Sequence, residues 1–535
     1  MRSAPTSLRL FSAATVCIFT IVALLPECVV FAQSLWRDGS LSLAAYTSVL
    51  AEPRRWSLLR NTLVLAGGTT LLSAMLGIPV AFALERRRVL LRGGLTHLLA
   101  LPLLVPPYIN AVVWADILGR NGLLRFGLNP PVGGGPAPFS VYTLGGAVLV
   151  LALSSFPIVA FATLLALRRY DARLEDPARL VCRAPGILRH IAWPLVAPAA
   201  LSGCVLVFVL SLVEFAVPSF LQVNVYTVEI YERFSLTYDP AEAAAMTLPL
   251  LACGLLALGL WWTYVRPRAG RLSGTGRRAP LHTGRIDWLA TALCAGLIAF
   301  ASILPLAILI RRSLPLTSYL EAWQTAREEI GTSLLVGAGS ATLLTALAFA
   351  MALASRFERP AARLYTLSPL PFLVSGPLLG VGLILVWNRP GPASWVYDSL
   401  LILMLACAAR FLFFAHQAVG AALRDVPRRR DEAAAVAGVP WYRSVRGVLL
   451  PPVAPALAAL WGLTFLFTLR ELDAAVLVAP PGRSTLAVRL FGLMHYGPSR
   501  LVAALSVITI LIVVAGALAT AFAYRRLRRF AHAGD

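Results

Sequence analysis

Long apolar runs separated by short polar segments dominate the sequence. A helix needs about 20 apolar residues to cross a bilayer, and about twelve runs reach that length. They fall near residues 10–33, 57–84, 95–118, 140–167, 195–221, 244–265, 287–311, 331–354, 364–387, 398–419, 451–479 and 501–524. The pattern predicts an all-α, polytopic membrane protein with about twelve transmembrane helices.

One apolar segment occurs twice, at residues 193–221 and 450–478. Shifting the first copy by 257 positions places Pro194 on Pro451 and Glu214 on Glu471. Each copy follows a basic stretch and then stays apolar for more than about twenty residues. The chain therefore reads as a duplicated membrane unit.

The duplication divides the chain into a half at 1–265, a polar linker at 266–286 and a half at 287–535. With six spans in each half, both halves have the same orientation, as in parallel repeats related by an axis along the membrane normal. We expect a solute pathway between them. Further pairs of corresponding segments are Asn61-Thr62-Leu63 with Thr332-Ser333-Leu334, and Pro102-Leu103-Leu104-Val105 with Pro371-Phe372-Leu373-Val374.

Composition agrees with a membrane protein, because 58% of residues are hydrophobic, 13% are charged and the mean hydropathy is +0.76. The net charge of +22 comes from arginine, since the chain has no lysine. Placing the N-terminus inside puts most arginine clusters on one side, which is the positive-inside pattern. We therefore expect a multi-pass bacterial inner-membrane protein with both termini cytoplasmic. The expected partner of its basic residues is anionic membrane lipid, not nucleic acid.

The N-terminal run has a second interpretation. Arg2, Arg9 and the segment Val30-Phe31-Ala32 resemble a cleavable signal peptide. Its apolar stretch is about as long as a full span, however, and removal would place the arginine-rich C-terminus on the opposite side. We expect the segment to be retained.

Sequence motifs for catalysis or metal binding are missing. There is no GxxxxGK[ST] or HExxH motif, and a chain without lysine has no ordinary P-loop lysine. The seven cysteines lack CxxC spacing and read as small buried hydrophobic residues. We expect no catalytic site, cofactor or metal, and therefore a transport subunit without enzymatic activity of its own.

Residues 431–451, DEAAAVAGVPWYRSVRGVLLP, interrupt the apolar pattern on the cytoplasmic side. Glu432-Ala433-Ala434 favours a helix, Gly438 ends it, and Pro440 can open a second short helix. Trp441 and Val445, four residues apart, would form an exposed apolar knob. The alternative is a solvated basic loop between two spans.

The spacing of this segment resembles the signature loop of binding-protein-dependent ABC importer permeases. That signature is E-A-A, three residues, Gly, nine residues, an aliphatic residue, one residue and Leu-Pro. The matching residues are Glu432, Ala433, Ala434, Gly438, Val448, Leu450 and Pro451. The resemblance implies that the loop is a coupling helix, which docks in a groove of a cytosolic ATPase.

Residues 174–194, LEDPARLVCRAPGILRHIAWP, are a degraded copy of the same signature. Asp176 or Glu175 takes the Glu position. If Asp176 is chosen, Ala178 matches the second Ala, Cys182 takes the Gly position, and the copy is one residue short before Pro194. The Glu175 register restores the length but places Val181 at the Gly position. We prefer Asp176.

Glu214 and Glu471 each lie 20 residues beyond their loop proline. At about 1.5 Å per residue, that distance reaches the outer part of the bilayer. Two carboxylates facing a shared pathway would suit a cationic solute. The alternative is interfacial, with each Glu in headgroup water or Glu471 offset by Arg470.

The resemblance covers nearly the whole chain and is strongest to fused two-half permeases of the ferric-iron type. It implies a cytosolic ABC ATPase dimer and an extracytoplasmic solute-binding protein as partners. Thiamine, polyamine and oxyanion permeases remain alternatives. More distant alternatives are an ion-driven secondary transporter, which would have no use for the loops, and a membrane scaffold or enzyme.

Overall fold

The computed structural model describes residues 6–37, 40–119, 140–169, 175–180, 184–269 and 286–533. Helices dominate these residues, and one antiparallel pair of two-residue strands, Trp36–Arg37 and Ser40–Leu41, joins two of them. The all-α polytopic prediction is confirmed. Cys182, the Pro/Gly-rich stretch at 129–136 and most of the linker lie outside the described residues.

Within the described residues, ten helices are long and apolar enough to cross a bilayer, and two bent helix pairs raise the number to twelve. Their positions match the twelve predicted apolar runs. Numbered in chain order, spans 1–12 are Thr6–Leu35, Pro53–Arg86, Arg92–Leu104 with Pro107–Leu118, Leu144–Arg169, Leu188–Leu212, Pro240–Arg268, Trp288–Arg312, Thr317–Phe357, Pro360–Leu373 with Gly376–Trp387, Leu401–Arg424, Trp441–Leu469 and Ser499–Arg529.

Shorter helices connect the spans. They are Ala44–Ala51, Asp176–Arg179, Ala184–Ile187, Ala216–Phe220, Tyr226–Thr237, Pro392–Tyr397, Arg428–Val436, Ala475–Val478 and Leu486–Tyr496. Several of them follow or precede the two copies of the repeated apolar segment, so the repeat extends beyond the spans themselves.

Spans 3 and 9 bend by 93° and 112°. Pro106 and Ser375 have extended backbones at the breaks, with ψ of 136° and 143°. The second helix of each pair then starts with proline in its first turn, Pro107 or Pro377, where the missing N–H costs nothing. The two breaks directly follow the segments predicted to correspond, which end at Val105 and Val374.

Span 3 carries the chain from one end of the bundle to the other despite its bend. At its start, Arg92 pairs with Glu85, beside the arginine cluster that ends span 2. Near its end, Asp116 pairs with Arg312 at 2.7 Å. Arg312 is the last residue of span 7. Asp287, directly before the other end of span 7, donates its backbone N–H to the Arg88 carbonyl at 3.1 Å. Span 7 is 25 residues long, so Asp116 lies at the end opposite Arg92.

In the described part of the chain, five π-helical turns interrupt the helices, and each lies two residues before a proline. A proline ring displaces the carbonyl four residues earlier and offers no N–H, and the helix accommodates this by widening. The turns are Thr20–Leu24, Leu188–Ala192, Trp261–Val265, Ala299–Ile303 and Val445–Leu449, before Pro26, Pro194, Pro267, Pro305 and Pro451.

The π-helical turns reproduce the sequence repeat. Leu188–Ala192 and Val445–Leu449 differ by the same 257 positions as Pro194 and Pro451. Thr20–Leu24 and Ala299–Ile303 differ by 279 positions, as do Pro26 and Pro305. These two shifts relate spans 5 and 11, and spans 1 and 7.

Side-chain contacts support the same correspondence. The Thr62 hydroxyl accepts the Tyr226 N–H at 3.0 Å, and the Ser333 hydroxyl accepts the Leu486 N–H at 2.7 Å. Thr62 and Ser333 occupy matching places in the segments predicted to correspond. Each hydroxyl therefore tethers the start of a connecting helix, Tyr226–Thr237 or Leu486–Tyr496, to a span of the same half.

Contacts divide the chain into two compact units that exchange the first span of each half. Unit 1 comprises Met1–Ser48, Ile230–Thr247 and Leu316–Asp535, so span 1 clusters with spans 8–12. Unit 2 comprises Val49–Glu229 and Leu248–Pro315, so span 7 clusters with spans 2–5. The compact units therefore differ from the sequence halves.

Candidate functional site

The second predicted coupling loop folds as the sequence suggests. Helix Arg428–Val436 ends in a Schellman motif, in which the Val439 N–H bonds the Ala434 carbonyl at 3.0 Å and the Gly438 N–H bonds the Ala435 carbonyl at 3.2 Å. Gly438 has a φ of +70°, the left-handed conformation that a side chain disfavours. The prediction that Gly438 ends the first short helix of the loop is confirmed.

The exposed face of this loop differs from the predicted one. No residue of helix Arg428–Val436 is buried, and Glu432 is exposed. The indole of Trp441 instead packs on Phe11 with ring centroids 5.3 Å apart, and its Nε1 donates to the Ser7 hydroxyl at 3.0 Å. The prediction of a Trp441–Val445 knob is therefore wrong, because span 1 covers the tryptophan.

Other residues supply the exposed apolar surface. Val436 is 90% exposed, and Tyr442 is also exposed. Val445 packs against the hydrophobic core. Glu432 is exposed as well, and so are the arginines on both sides of it, including Arg430 and Arg443. The loop therefore presents a mixed apolar and charged surface.

Arg356, near the end of span 8, fixes the loop to the bundle. Its Nε lies 2.7 Å from an Asp431 carboxylate oxygen. Its two terminal nitrogens donate to the carbonyls of Leu423 and Val426 at 2.5 and 3.0 Å. A single buried guanidinium therefore joins the second predicted coupling loop to the end of span 10.

The first loop has a parallel anchor. Glu175 is 4% exposed, and its carboxylate lies 2.6 Å from Arg86 Nη2 at the end of span 2. Asp176 is exposed and Ala178 is half-buried. The order of buried and exposed residues from Glu175 matches the order from Asp431, which favours the register that places Asp176 opposite Glu432. Cys182, at the position of Gly438, lies outside the described residues.

The ends of both signatures lie at the start of the long helices that follow the π-helical turns. Leu450 and Pro451 open Leu450–Leu469, and Pro194 is the second residue of Trp193–Leu212. A displacement of either loop would act directly on spans 5 or 11.

Glu214 and Glu471 both lie at helix breaks. The Glu214 carboxylate accepts the Val217 N–H at 3.3 Å, and the Glu471 carboxylate accepts the Ala474 N–H at 3.1 Å. Each satisfies an N–H at the start of the short helix that follows. The sequence repeat identified both residues, but it did not reveal this local capping role.

Glu471 is also part of a buried ionic cluster. It is 6% exposed, which excludes a position in headgroup water, and lies 3.3 Å from Arg410 Nη1. Arg410 Nη2 donates to Asp473 at 2.6 Å. Sequence reasoning missed Arg410 and Asp473, although an arginine inside an apolar span was a usable signal.

The break in span 9 lies against this cluster. A Cβ on Gly376 would lie 2.2 Å from Arg410 Nη1 and 2.3 Å from Asp473 Cβ, so only glycine fits there. In unit 2, Asn110 and Ser154 form a neutral buried contact of 2.9 Å between spans 3 and 4. The contact between spans 3 and 4 is therefore neutral, whereas the contact of span 10 with the break after span 11 is ionic.

Metal binding has no counterpart among the residues that the structure describes. They contain no group of three or more His, Cys, Asp and Glu side chains that could hold a metal ion. The polar groups of the site are instead arranged as ion pairs and helix caps.

Comparison with known proteins identifies a common class. Residues 73–270 match the family model described as "binding-protein-dependent transport system inner membrane component". This match includes the first, degraded loop. The chain is 24% identical over 476 residues to the Fe(3+)-transport system permease protein FbpB 2 of Haemophilus influenzae, covering 87% of this chain and 90% of that protein.

Two other relatives are named for different substrates. The thiamine transport system permease protein ThiP of Brucella abortus is 28% identical over 324 residues, covering 57% of this chain and 58% of its own length. The molybdenum transport system permease protein ModB of Mycobacterium tuberculosis is 31% identical over 240 residues, covering 41% of this chain and 88% of its own length.

Proposed function

Since the chain belongs to the family of binding-protein-dependent transport system inner membrane components, we propose that it forms a ferric-iron pathway driven by a separate cytosolic ATPase. It is an ABC permease, a multi-pass protein of the inner membrane. The observation that supports iron is the match to an Fe(3+) permease over 87% of the chain. Thiamine and molybdate are the alternative substrates suggested by other relatives.

The two loops are the proposed contacts with an ATPase dimer. Each is held to its unit by a buried ion pair, Arg86 with Glu175 or Arg356 with Asp431. Each leaves an acidic residue exposed, Asp176 or Glu432. An ATPase that moved these loops would move the start of spans 5 and 11, because each loop continues into its span through one π-helical turn.

We assign residues 1–265 and 287–535 as the two permease halves, and an extracytoplasmic solute-binding protein as the source of substrate. The exchange of spans 1 and 7 between the compact units supports a design in which neither half is complete alone. A secondary transporter would not require the exposed, anchored loops.

The function is tested by uptake of radiolabelled ferric iron into proteoliposomes that hold the full chain with its ATPase and binding protein. ATP-dependent iron uptake that requires the binding protein is expected. Uptake of thiamine or molybdate in place of iron would reassign the substrate. Uptake driven by an ion gradient without ATP would overturn the ABC mechanism itself.

We predict that both termini and the linker are cytoplasmic. Reporter fusions at Gly274, in the linker, and at Gly134, between spans 3 and 4, should therefore report opposite sides of the membrane. The arginine clusters at the ends of spans 2, 4 and 12 support this orientation. Reports from the same side at both positions would contradict the twelve-span topology.

We further propose that Glu214 and Glu471 act near the cation pathway. Glu214 is half-buried and Glu471 is buried, so the Glu214 carboxylate is the more accessible to a solute, and we expect Glu214→Gln to reduce iron uptake more than Glu471→Gln. Uptake is measured for the single and double variants at matched membrane levels. Unchanged uptake in the double variant would leave both residues with a capping role alone.

A further inference from the structure

An apolar groove opens in unit 2 at the arginine-rich end of span 2. Its volume is about 1100 Å³, at the upper end of typical ligand sites. One wall comes from span 2 between Met75 and Ala83, and another from span 7 between Leu289 and Leu297. Ile187, Leu188 and Ala192, at the junction between the first coupling loop and span 5, close the groove.

Charged residues stand only at one rim of the groove. Arg86 pairs with Glu175 at 2.6 Å, whereas Arg87 lies 3.5 Å from Asp287. Arg87 is 64% exposed, so its guanidinium can accept a further anionic partner. The groove therefore has apolar walls and, at one rim, two arginine–carboxylate pairs, in which Arg87 is the more exposed arginine. Arg88, the next residue of the same arginine cluster, is also exposed. Apolar walls beside an exposed guanidinium match the polarity of an anionic membrane lipid.

The corresponding place in unit 1 is filled by protein. There, Phe11 of span 1 packs on Trp441, and the Trp441 indole bonds Ser7. The shift of 279 positions between spans 1 and 7 places Ala290 where Phe11 stands. An aromatic ring is thus replaced by a methyl group, and Ala290 lines the groove.

We propose that this groove binds one anionic phospholipid of the cytoplasmic leaflet, with its phosphate at Arg87 and its acyl chains between spans 2 and 7. Three features favour this occupant: the apolar walls match acyl chains, the Arg87 guanidinium is exposed at the rim, and anionic lipids concentrate at an arginine-rich membrane face. The lipid fills space that the Phe11 side chain of span 1 fills in unit 1.

The position of the lipid gives it a structural role. Ile187 and Leu188 line the groove and follow the first loop, so bound acyl chains brace the segment that joins this loop to span 5. Only this role rests on the proposed coupling function. Binding of the lipid itself is independent of the ATPase, the substrate and uptake.

Native mass spectrometry of the purified, delipidated full chain tests the binding, with added dioleoylphosphatidylglycerol as the anionic probe and dioleoylphosphatidylcholine as the neutral comparison. Gly296→Phe fills the groove, because no atom lies within 4 Å of the added Cβ. Displacing even two methylene groups from the groove should weaken phosphatidylglycerol binding by about tenfold. Gly259→Phe, equally open but on span 6 outside the groove, is the matched control and should bind normally.

A charge variant tests the headgroup contact. Arg87→Gln should weaken phosphatidylglycerol binding by roughly fivefold and leave phosphatidylcholine binding unchanged. Arg169→Gln, an exposed arginine at the same end outside the groove lining, should have no such effect.

Equal binding by wild type, Gly296→Phe and Arg87→Gln would overturn the site. If both glycine variants, or both arginine variants, lost phosphatidylglycerol binding equally, the bound lipid would be nonspecific annular lipid, and the proposed site would be overturned as well. Because no readout uses transport, failure here leaves the proposed function intact, and failure of iron uptake leaves the lipid site intact.

Discussion

Gly438→Val should reduce substrate uptake by at least about tenfold while the protein remains in the membrane at normal levels. A φ of +70° costs a residue with a Cβ roughly 1–3 kcal/mol, and a β-branched side chain is among the least tolerant. The turn would relax by moving helix Arg428–Val436 relative to Trp441, which span 1 holds in place. Uptake and ATP hydrolysis are measured together in proteoliposomes, and hydrolysis should persist without transport.

Gly391→Val is the matched control for this prediction. Gly391 has a φ of +103° and equally open surroundings, but it lies between spans 9 and 10, away from the coupling loop. The same kind of backbone strain there should leave coupling intact.

Because the first loop departs from the signature, Asp176→Ala should reduce substrate uptake less than Glu432→Ala. Full uptake by the Glu432→Ala, Gly438→Val double variant would refute the coupling role.

Arg410→Met should be the most destabilising single substitution among the site residues, at about 3–5 kcal/mol. The change leaves the carboxylates of Glu471 and Asp473 buried together without their shared guanidinium. The measurements are membrane level and the thermal midpoint of the purified protein in detergent. Both should fall clearly below those of wild type.

Two further variants separate the loss of charge pairing from the loss of side-chain volume. Arg389→Met removes an exposed arginine whose Nε donates to the nearby Leu385 carbonyl at 2.9 Å, and it should be nearly neutral. Adding Glu471→Gln and Asp473→Asn to Arg410→Met removes the uncompensated charges and should recover much of the lost stability. Wild-type stability in Arg410→Met alone would show that the cluster does not hold the two breaks together.

The spans were predictable because apolar runs of membrane length are a local property of the sequence. The bends in spans 3 and 9 were not predicted, although Pro106-Pro107 and Pro377 mark them in retrospect. Hydropathy also gives no information on which spans pack together, since lipid-facing and buried helix faces are both apolar. The packing of span 1 with spans 8–12 therefore required the structure.

In the candidate site, too, the locally determined features were predictable and the tertiary contacts were not. Gly438 was predictable because a helix stop followed by proline is a local signal. The packing of Trp441 on Phe11 was not, because 430 positions separate the two residues and only the tertiary fold joins them. Similarly, Glu471 emerged from the repeat, whereas its partner Arg410 lies on span 10, and only the tertiary fold brings the two side chains together.

The exchange of first spans sets a schedule for biosynthesis. Span 1 leaves the ribosome before its packing partners in spans 8–12, which begin at Thr317, more than 280 residues after Leu35. At roughly 5–20 residues per second, this interval lasts on the order of 15–60 s. During that time span 1, including the buried Glu27, waits in the bilayer without its final neighbours. Assembly of unit 1 is therefore largely post-insertional, while spans 2–5 can already associate as they emerge.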